Sequence, residues 1–164
     1  MTQELEHRFV SQLEANQNIV HKICRLYTND SEAHNDLFQE ITIQLWRAYP
    51  KFRGDSKFST WMYRVALNTA ITLYRKSKRS IQTQDFEAVS FKMTAEDYDD
   101  TVEEQLKLMY NAVKTLNDID KALVFLYLEN KNYREIAGTL GISEVNARVK
   151  MNRIKEKLRT ILNP

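Results

Sequence analysis

Between positions 51 and 76, aromatic rings alternate with cations: Phe52, Phe58, Trp61, Tyr63 and Tyr74 stand among Lys51, Arg53, Lys57, Arg64, Arg75 and Lys76. This combination suits single-stranded nucleic acid. Cations follow the backbone, and rings accept unstacked bases, each stack contributing roughly 1–3 kcal/mol. The competing role for a ring is core packing. Phe52, Phe58 and Tyr74 are expected to serve it, whereas Trp61 shares the less apolar side of its segment with Arg64 and Asn68. A second group lies between 146 and 157: Asn146, Val149, Asn152, Arg153 and Lys157 recur at helical spacing on one face. Amide and guanidinium groups form bidentate bonds with base edges, and a valine can touch a thymine methyl.

Other chemistry-bearing residues lead nowhere comparable. His21 and Cys24 are three apart, a spacing able to hold a metal, but a structural zinc site needs four ligands and no others are nearby. Asp97, Asp99 and Asp100 form an acidic cluster with no rigid frame, which reads as solvated. There is no nucleophile–base pair and no glycine-rich phosphate loop. The expectation is a protein without catalytic residues, metal, cofactor or small-molecule substrate.

The elements that must position the two groups are helical. Gly and Pro number only 3 and 2 in 164 residues, which favours an all-α chain. Apolar periodicity predicts helices over 5–27 (Phe9, Leu13, Val20, Ile23, Tyr27) and 32–48 (Leu37, Phe38, Ile41, Leu45, Trp46), with Asn29-Asp30-Ser31 as break and cap. Pro50 ends the second, and a loop through Gly54-Asp55 leads to a third over 58–78, with Phe58, Met62, Val65, Thr69 and Leu73 inward. Trp61, Arg64, Asn68, Thr72 and Arg75 line another side of it. Further helices are expected over 104–114 and after an Asn117-Asp118 cap. Tyr133 to Leu158 then reads as helix, tight turn, helix. Ile136, Ala137 and Leu140 form the first apolar stripe, Gly141 is the stop, and Ser143 is the N-cap. Ala147, Met151, Ile154, Leu158 and Ile161 are the inward face of the second helix. Such a pair places its second helix in the DNA major groove; the plainer alternative is an αα-hairpin with a solvated face.

The net charge of +2 conceals a division. Residues 1–80 carry 12 Lys/Arg against 8 Asp/Glu, residues 81–105 carry 1 against 8, and residues 106–164 carry 11 against 6. Two basic blocks joined by an acidic one suit two small domains that meet a polyanion, 1–80 and 105–164, with a flexible acidic linker over 81–104. Cys24 is the lone cysteine, which excludes an internal disulfide and fits a reducing compartment. The polar N-terminus is not a signal peptide, and the longest apolar run, Ala122 to Leu128, is too short to span a bilayer. A soluble, cytoplasmic protein without membrane insertion is expected.

The string from Asp36-Leu37-Phe38-Gln39-Glu40 through Trp46-Arg47 to Phe52-Arg53-Gly54-Asp55-Ser56-Lys57-Phe58-Ser59-Thr60-Trp61-Met62-Tyr63-Arg64-Val65-Ala66-Leu67-Asn68 resembles region 2 of the extracytoplasmic-function (ECF) sigma factors, within the sigma-70 family. The helix-turn-helix stretch resembles region 4 of the same family, so the likeness covers nearly the whole chain. The resemblance implies that Asp36, Gln39, Glu40 and Arg47 bind core RNA polymerase. It implies that Arg53, Lys57, Trp61, Arg64 and Asn68 capture a flipped base of the promoter −10 element, a step costing a few kcal/mol that a stacking pocket offsets. It also implies that Asn146, Arg148, Val149, Asn152 and Arg153 read the −35 element, and that an anti-sigma factor holds the protein inactive. The recognition helix departs from the common pattern, with Asn146-Ala147-Arg148-Val149-Lys150 at its centre, so promoter sequence does not transfer. Rival readings are a stand-alone helix-turn-helix repressor or activator, which would bind duplex DNA alone as a dimer, and a helical adaptor with no salt-sensitive affinity for DNA.

Overall fold

Side-chain caps set where the helices begin. In the computed structural model, which describes residues 2–83 and 104–163, Thr2 caps α1 (Gln3–Tyr27), accepting from the Leu5 amide at 3.2 Å. Asp30 caps α2 (Ser31–Ala48), accepting from Ala33 at 2.7 Å. A 3₁₀ turn over Tyr49–Lys51, with Pro50 where its missing amide costs nothing, leads to α3 (Phe58–Thr83). After α4 (Glu104–Lys114), Asn117 caps α5 (Asp118–Leu128), Asn132 caps α6 (Tyr133–Leu140) and Ser143 caps α7 (Glu144–Leu162). Every expected helix is present, and the described residues contain no strand. The chain divides into two compact units, Met1–Met93 and Thr94–Pro164.

In the first unit α1, α2 and α3 pack against one another in all three pairings. Val20, Ile23, Ile41, Leu45, Met62 and Leu67 are fully buried, and truncating one such residue to alanine costs about 2–5 kcal/mol. The inward arc of α3 differs from the expected one. It is centred on Ala66 and Ala70 and flanked by Met62, Tyr63, Leu67 and Ile71, while Val65, Thr69 and Leu73 are half-buried. α3 packs against both α1 and α2, so its buried arc is wide, with the small residues Ala66 and Ala70 at its centre and larger ones on its flanks. The helix also runs to Thr83, into the stretch expected to be linker, since Ser80-Ile81-Gln82-Thr83 contains no breaker. The rest of the expected acidic linker, up to residue 103, lies outside the described residues.

His21 contacts no metal partner set. Its Nδ1 is 3.0 Å from Nε2 of His34 and its ring stacks on Phe38 at 4.5 Å, so α1 and α2 are joined by a histidine pair. Burial, and then the charge of Arg25, hold His21 below its ordinary pKa. Cys24 is buried, and burial pushes its thiol up to about 12, which makes it an inert core residue.

In the second unit α5 is the hub: Lys121 and Ala122 to Leu126 are all buried, with α4, α6 and α7 around it. Lys114, partly buried at the end of α4, is pushed down to about 8 by burial and then by the charge of Lys121. Of the inward residues expected on α7, Ala147, Met151, Ile154 and Leu158 are buried. Ile161 is not; all four residues of the last turn, 159–162, are exposed. No described helix is long and apolar enough to cross a membrane.

Candidate nucleic-acid interface

The helix-turn-helix is built by its turn. Gly141 takes φ +72, where a residue with a side chain is strained by about 1–2 kcal/mol. In that conformation the amides of Gly141 and Ile142 both donate to the Ala137 carbonyl, at 2.9 and 3.2 Å, closing α6. Ser143 Oγ then accepts from the Asn146 amide at 3.0 Å and opens α7, a cap worth about 1 kcal/mol. With Ala147, Met151, Ile154 and Leu158 turned inward, Asn146, Val149, Asn152 and Arg153 are exposed on the far side.

Arg148 is placed differently from its expected partners. It sits on the flank of α7, where its guanidinium lies 5.1 Å from the Tyr133 ring centroid and 3.6 Å from Glu144. Two turns on, Lys155 lies over the Tyr127 ring at 4.7 Å. The hydrogen bond with Tyr127 is the main reason its ammonium is held above its ordinary pKa. The two tyrosines, with ring centroids 6.3 Å apart, thus steady two cations along one edge of the helix. Sequence reading missed Tyr127 and Tyr133 because the pairs join residues on different helices. It also missed Val145, exposed beside Val149 and legible as the residue four positions before it.

In the first unit the base-binding candidates gather at the junction of loop and α3. Gly54 takes φ +77 and turns the loop, leaving Arg53 and Lys57 exposed on either side. Trp61 stands in a ring cluster, its centroid 5.0 Å from Phe52, 5.4 Å from Phe58 and 6.1 Å from Tyr49. Tyr49 in turn meets Phe9 at 5.1 Å and donates from its hydroxyl to Gln12 at 3.1 Å, which ties the cluster to α1. Trp61 is half-buried: part of the indole packs and part faces solvent, with Arg64 and Asn68 exposed on the next turns of the same side.

The outward face of α2 forms a third surface. Asp36, Gln39 and Arg47 are exposed, and Glu40 is half-buried, accepting from Gln44 at 3.0 Å. At the centre of this stripe stands Ile43, 42% exposed. Sequence reading passed over it, although an apolar residue seven after Asp36 and four before Arg47 must share their face.

Residues 13–80 match the family model of sigma-70 region 2, and residues 106–158 match that of sigma-70, region 4. The chain belongs to the sigma-70 family, in its ECF group. The RNA polymerase sigma-H factor of Pseudomonas aeruginosa is 28% identical to this sigma factor over 158 residues, covering 88% of this chain and 82% of that protein. The ECF RNA polymerase sigma-E factor of Escherichia coli K12 is 28% identical over 140 residues, covering 79% and 73%. Among solved structures, the sigma factor RpoE of Bartonella quintana, crystallised with the anti-sigma factor NepR, superposes with a TM-score of 0.78 at 17% identity, over 94% of this chain and 96% of that one. CnrH, in complex with the cytosolic domain of CnrY, gives 0.68 at 17% identity, over 96% and 89%. At that identity the likeness is one of fold. The sigma factor acts with core RNA polymerase and promoter DNA, directing the enzyme to promoters.

Proposed function

We propose that the three surfaces divide the work of promoter recognition. The outer face of α2, through Asp36, Gln39, Glu40 and Arg47 around Ile43, docks on core RNA polymerase. The loop residues Arg53 and Lys57, with Trp61, Arg64 and Asn68, take an unstacked base of the −10 element. The outer face of α7, through Asn146, Val149, Asn152 and Arg153, reads the −35 element, while Arg148 holds the phosphate backbone at its edge. Residues 1–80 and 105–164 act as the two binding domains, with 81–104 as the link. The observation that carries this reading is the pairing, in one chain, of a half-buried tryptophan at a cationic loop with a helix-turn-helix whose outer face is amide-rich and basic. One site suits single-stranded DNA and the other duplex, and opening a promoter requires both.

The sigma factor works in the cytoplasm and carries no catalysis of its own; the polymerase supplies the chemistry. Among the described residues, no three His, Cys, Asp or Glu side chains gather as a metal site would require. An anti-sigma factor is a further partner, a reading supported by a fold neighbour, RpoE of Bartonella quintana, that was solved bound to the anti-sigma factor NepR. The test is transcription from a host genomic library with host core polymerase. Promoter-specific transcripts should need both components, and aligning their upstream sequences should give two elements. Tight duplex binding by the protein alone, as a dimer and without new transcripts, would favour a stand-alone regulator.

A further inference from the structure

We infer that Val145 and Val149 together read two thymine methyl groups in the −35 element, and so fix where thymines must stand in the promoters of this sigma factor. The inference rests on the −35 role proposed for α7 and adds the bases it selects.

Val145 is 68% exposed and Val149 is 42% exposed. They are the second and sixth residues of α7, the part of a recognition helix that reaches base edges. Four positions apart, they lie on one face, centred away from buried Ala147, Met151, Ile154 and Leu158. An exposed β-branched pair near a helix start serves neither the core nor helix propensity. What surrounds it fits duplex DNA: α7 carries six Lys/Arg against two Glu, and Asn146, Asn152 and Arg153 are exposed around the valines. Within the major groove, the one apolar group on a base edge is the C5 methyl of thymine. The two valines are separated by about 6 Å along the helix, since the rise is about 1.5 Å per residue. Bases on one strand are spaced about 3.4 Å apart along the DNA axis, so a pair on a helix lying in the groove spans at most about two base steps. Neither contact involves charge, so this selectivity is independent of salt, unlike the contribution of the flanking cations.

The experiment replaces single thymines by deoxyuridine, which lacks only the methyl. Holoenzyme is assembled from the full chain and core polymerase, and its preferred upstream element is selected from a randomised promoter library. Each thymine of that element is then exchanged for deoxyuridine and holoenzyme binding is measured. Two positions no more than about two steps apart should each lose roughly fourfold in affinity, the worth of one buried methyl group. V145A should abolish the penalty at one position and V149A at the other. Both are exposed helix positions at which alanine is the better helix former, so folding is preserved. Uniform tolerance of deoxyuridine, or penalties unchanged in both variants, would overturn the inference while leaving the −35 role intact. Weaker binding of V145A to core polymerase or to an anti-sigma factor, without a deoxyuridine effect, would assign the valines to a protein partner instead. A holoenzyme that selects no upstream sequence would overturn the −35 role, and the thymine reading with it.

Discussion

On the roles proposed above, the two units present side chains to DNA in opposite ways. In the second unit the core and the presented residues occupy opposite faces of one helix, α7: Ala147, Met151, Ile154 and Leu158 inward, Val149, Asn152 and Arg153 outward. In the first, the candidate base-binding ring is also a packing residue. Trp61 is half-buried against Phe52 and Phe58 while its exposed part continues into Arg64 and Asn68. With a duplex as the proposed ligand of one and a flipped base of the other, the difference has a physical reason. Duplex edges are read by side chains that project from a rigid rod into a groove. A flipped base needs a flat apolar surface, and such a surface is held rigid only by packing its other side. Function and stability should therefore be separable by mutation in the second unit and entangled in the first.

The sharpest attempt to break that contrast is at Trp61. Trp61→Ala should lower the stability of its unit, by about half the roughly 3–5 kcal/mol typical of a fully buried large ring. It should also reduce open-complex formation by roughly 5- to 150-fold, the loss expected from one base stack of roughly 1–3 kcal/mol. Trp61→Phe should recover most of the stability, with denaturant melts and fluorescence-detected promoter opening as the two readouts. Normal opening in a destabilised Ala variant would make Trp61 core alone, and the contrast would collapse.

Ile43→Asp comes next. The residue is 42% exposed, so melts should show a loss of only about 1 kcal/mol, whereas affinity for core polymerase should fall about tenfold or more if it is the apolar centre of a polar interface. Unchanged affinity would remove Ile43 from the polymerase face. Within the second unit, Arg153→Ala should cost about 1–3 kcal/mol on the preferred −35 sequence and little on others. Arg148→Ala, on the flank beside Tyr133, should weaken all sequences alike and lower the salt slope of binding by about one. If the two variants behave identically, face and flank are not functionally distinct.

The smallest effect is on pH dependence. All three histidines, His7, His21 and His34, belong to the first unit. Because His21 is held below its ordinary pKa when folded, the unfolded chain binds more protons, and folding stability must fall as pH drops through the ordinary histidine range. Thermal melts at about pH 7.5 and about pH 5.5, either side of the usual histidine value, should show this acid loss, reduced in His21→Gln. An undiminished loss in that variant would place the titration elsewhere.

Much of this was legible in the sequence wherever one residue type at one spacing forces one outcome. The caps at Asp30, Asn117 and Ser143, the left-handed Gly141 and the inward stripe Ala147, Met151, Ile154 and Leu158 follow from local chemistry and a period of 3.6, and they sit where that reading put them. The ring-and-cation stretch was equally visible, and Phe58 and Met62 are buried as expected, but the rest of its division into core and surface was not legible. Periodicity ranks residues by apolarity, whereas burial depends on how many neighbours a helix has. The two partners of α3 bring Ala66 and Ala70 to the centre of its buried arc and leave Val65 and Leu73 at its margin.

By itself, then, the sequence determined the all-α architecture, the turn that orients the recognition helix, and the outward residues opposite each strong apolar stripe, because these depend on contacts within a few residues. Tertiary structure alone decided that His21 pairs with His34, that Trp61 is shared between core and solvent, and that Tyr127 and Tyr133 hold Lys155 and Arg148 at the edge of α7. Those contacts join separate helices, and a helical period carries no information about the direction from which a neighbour approaches.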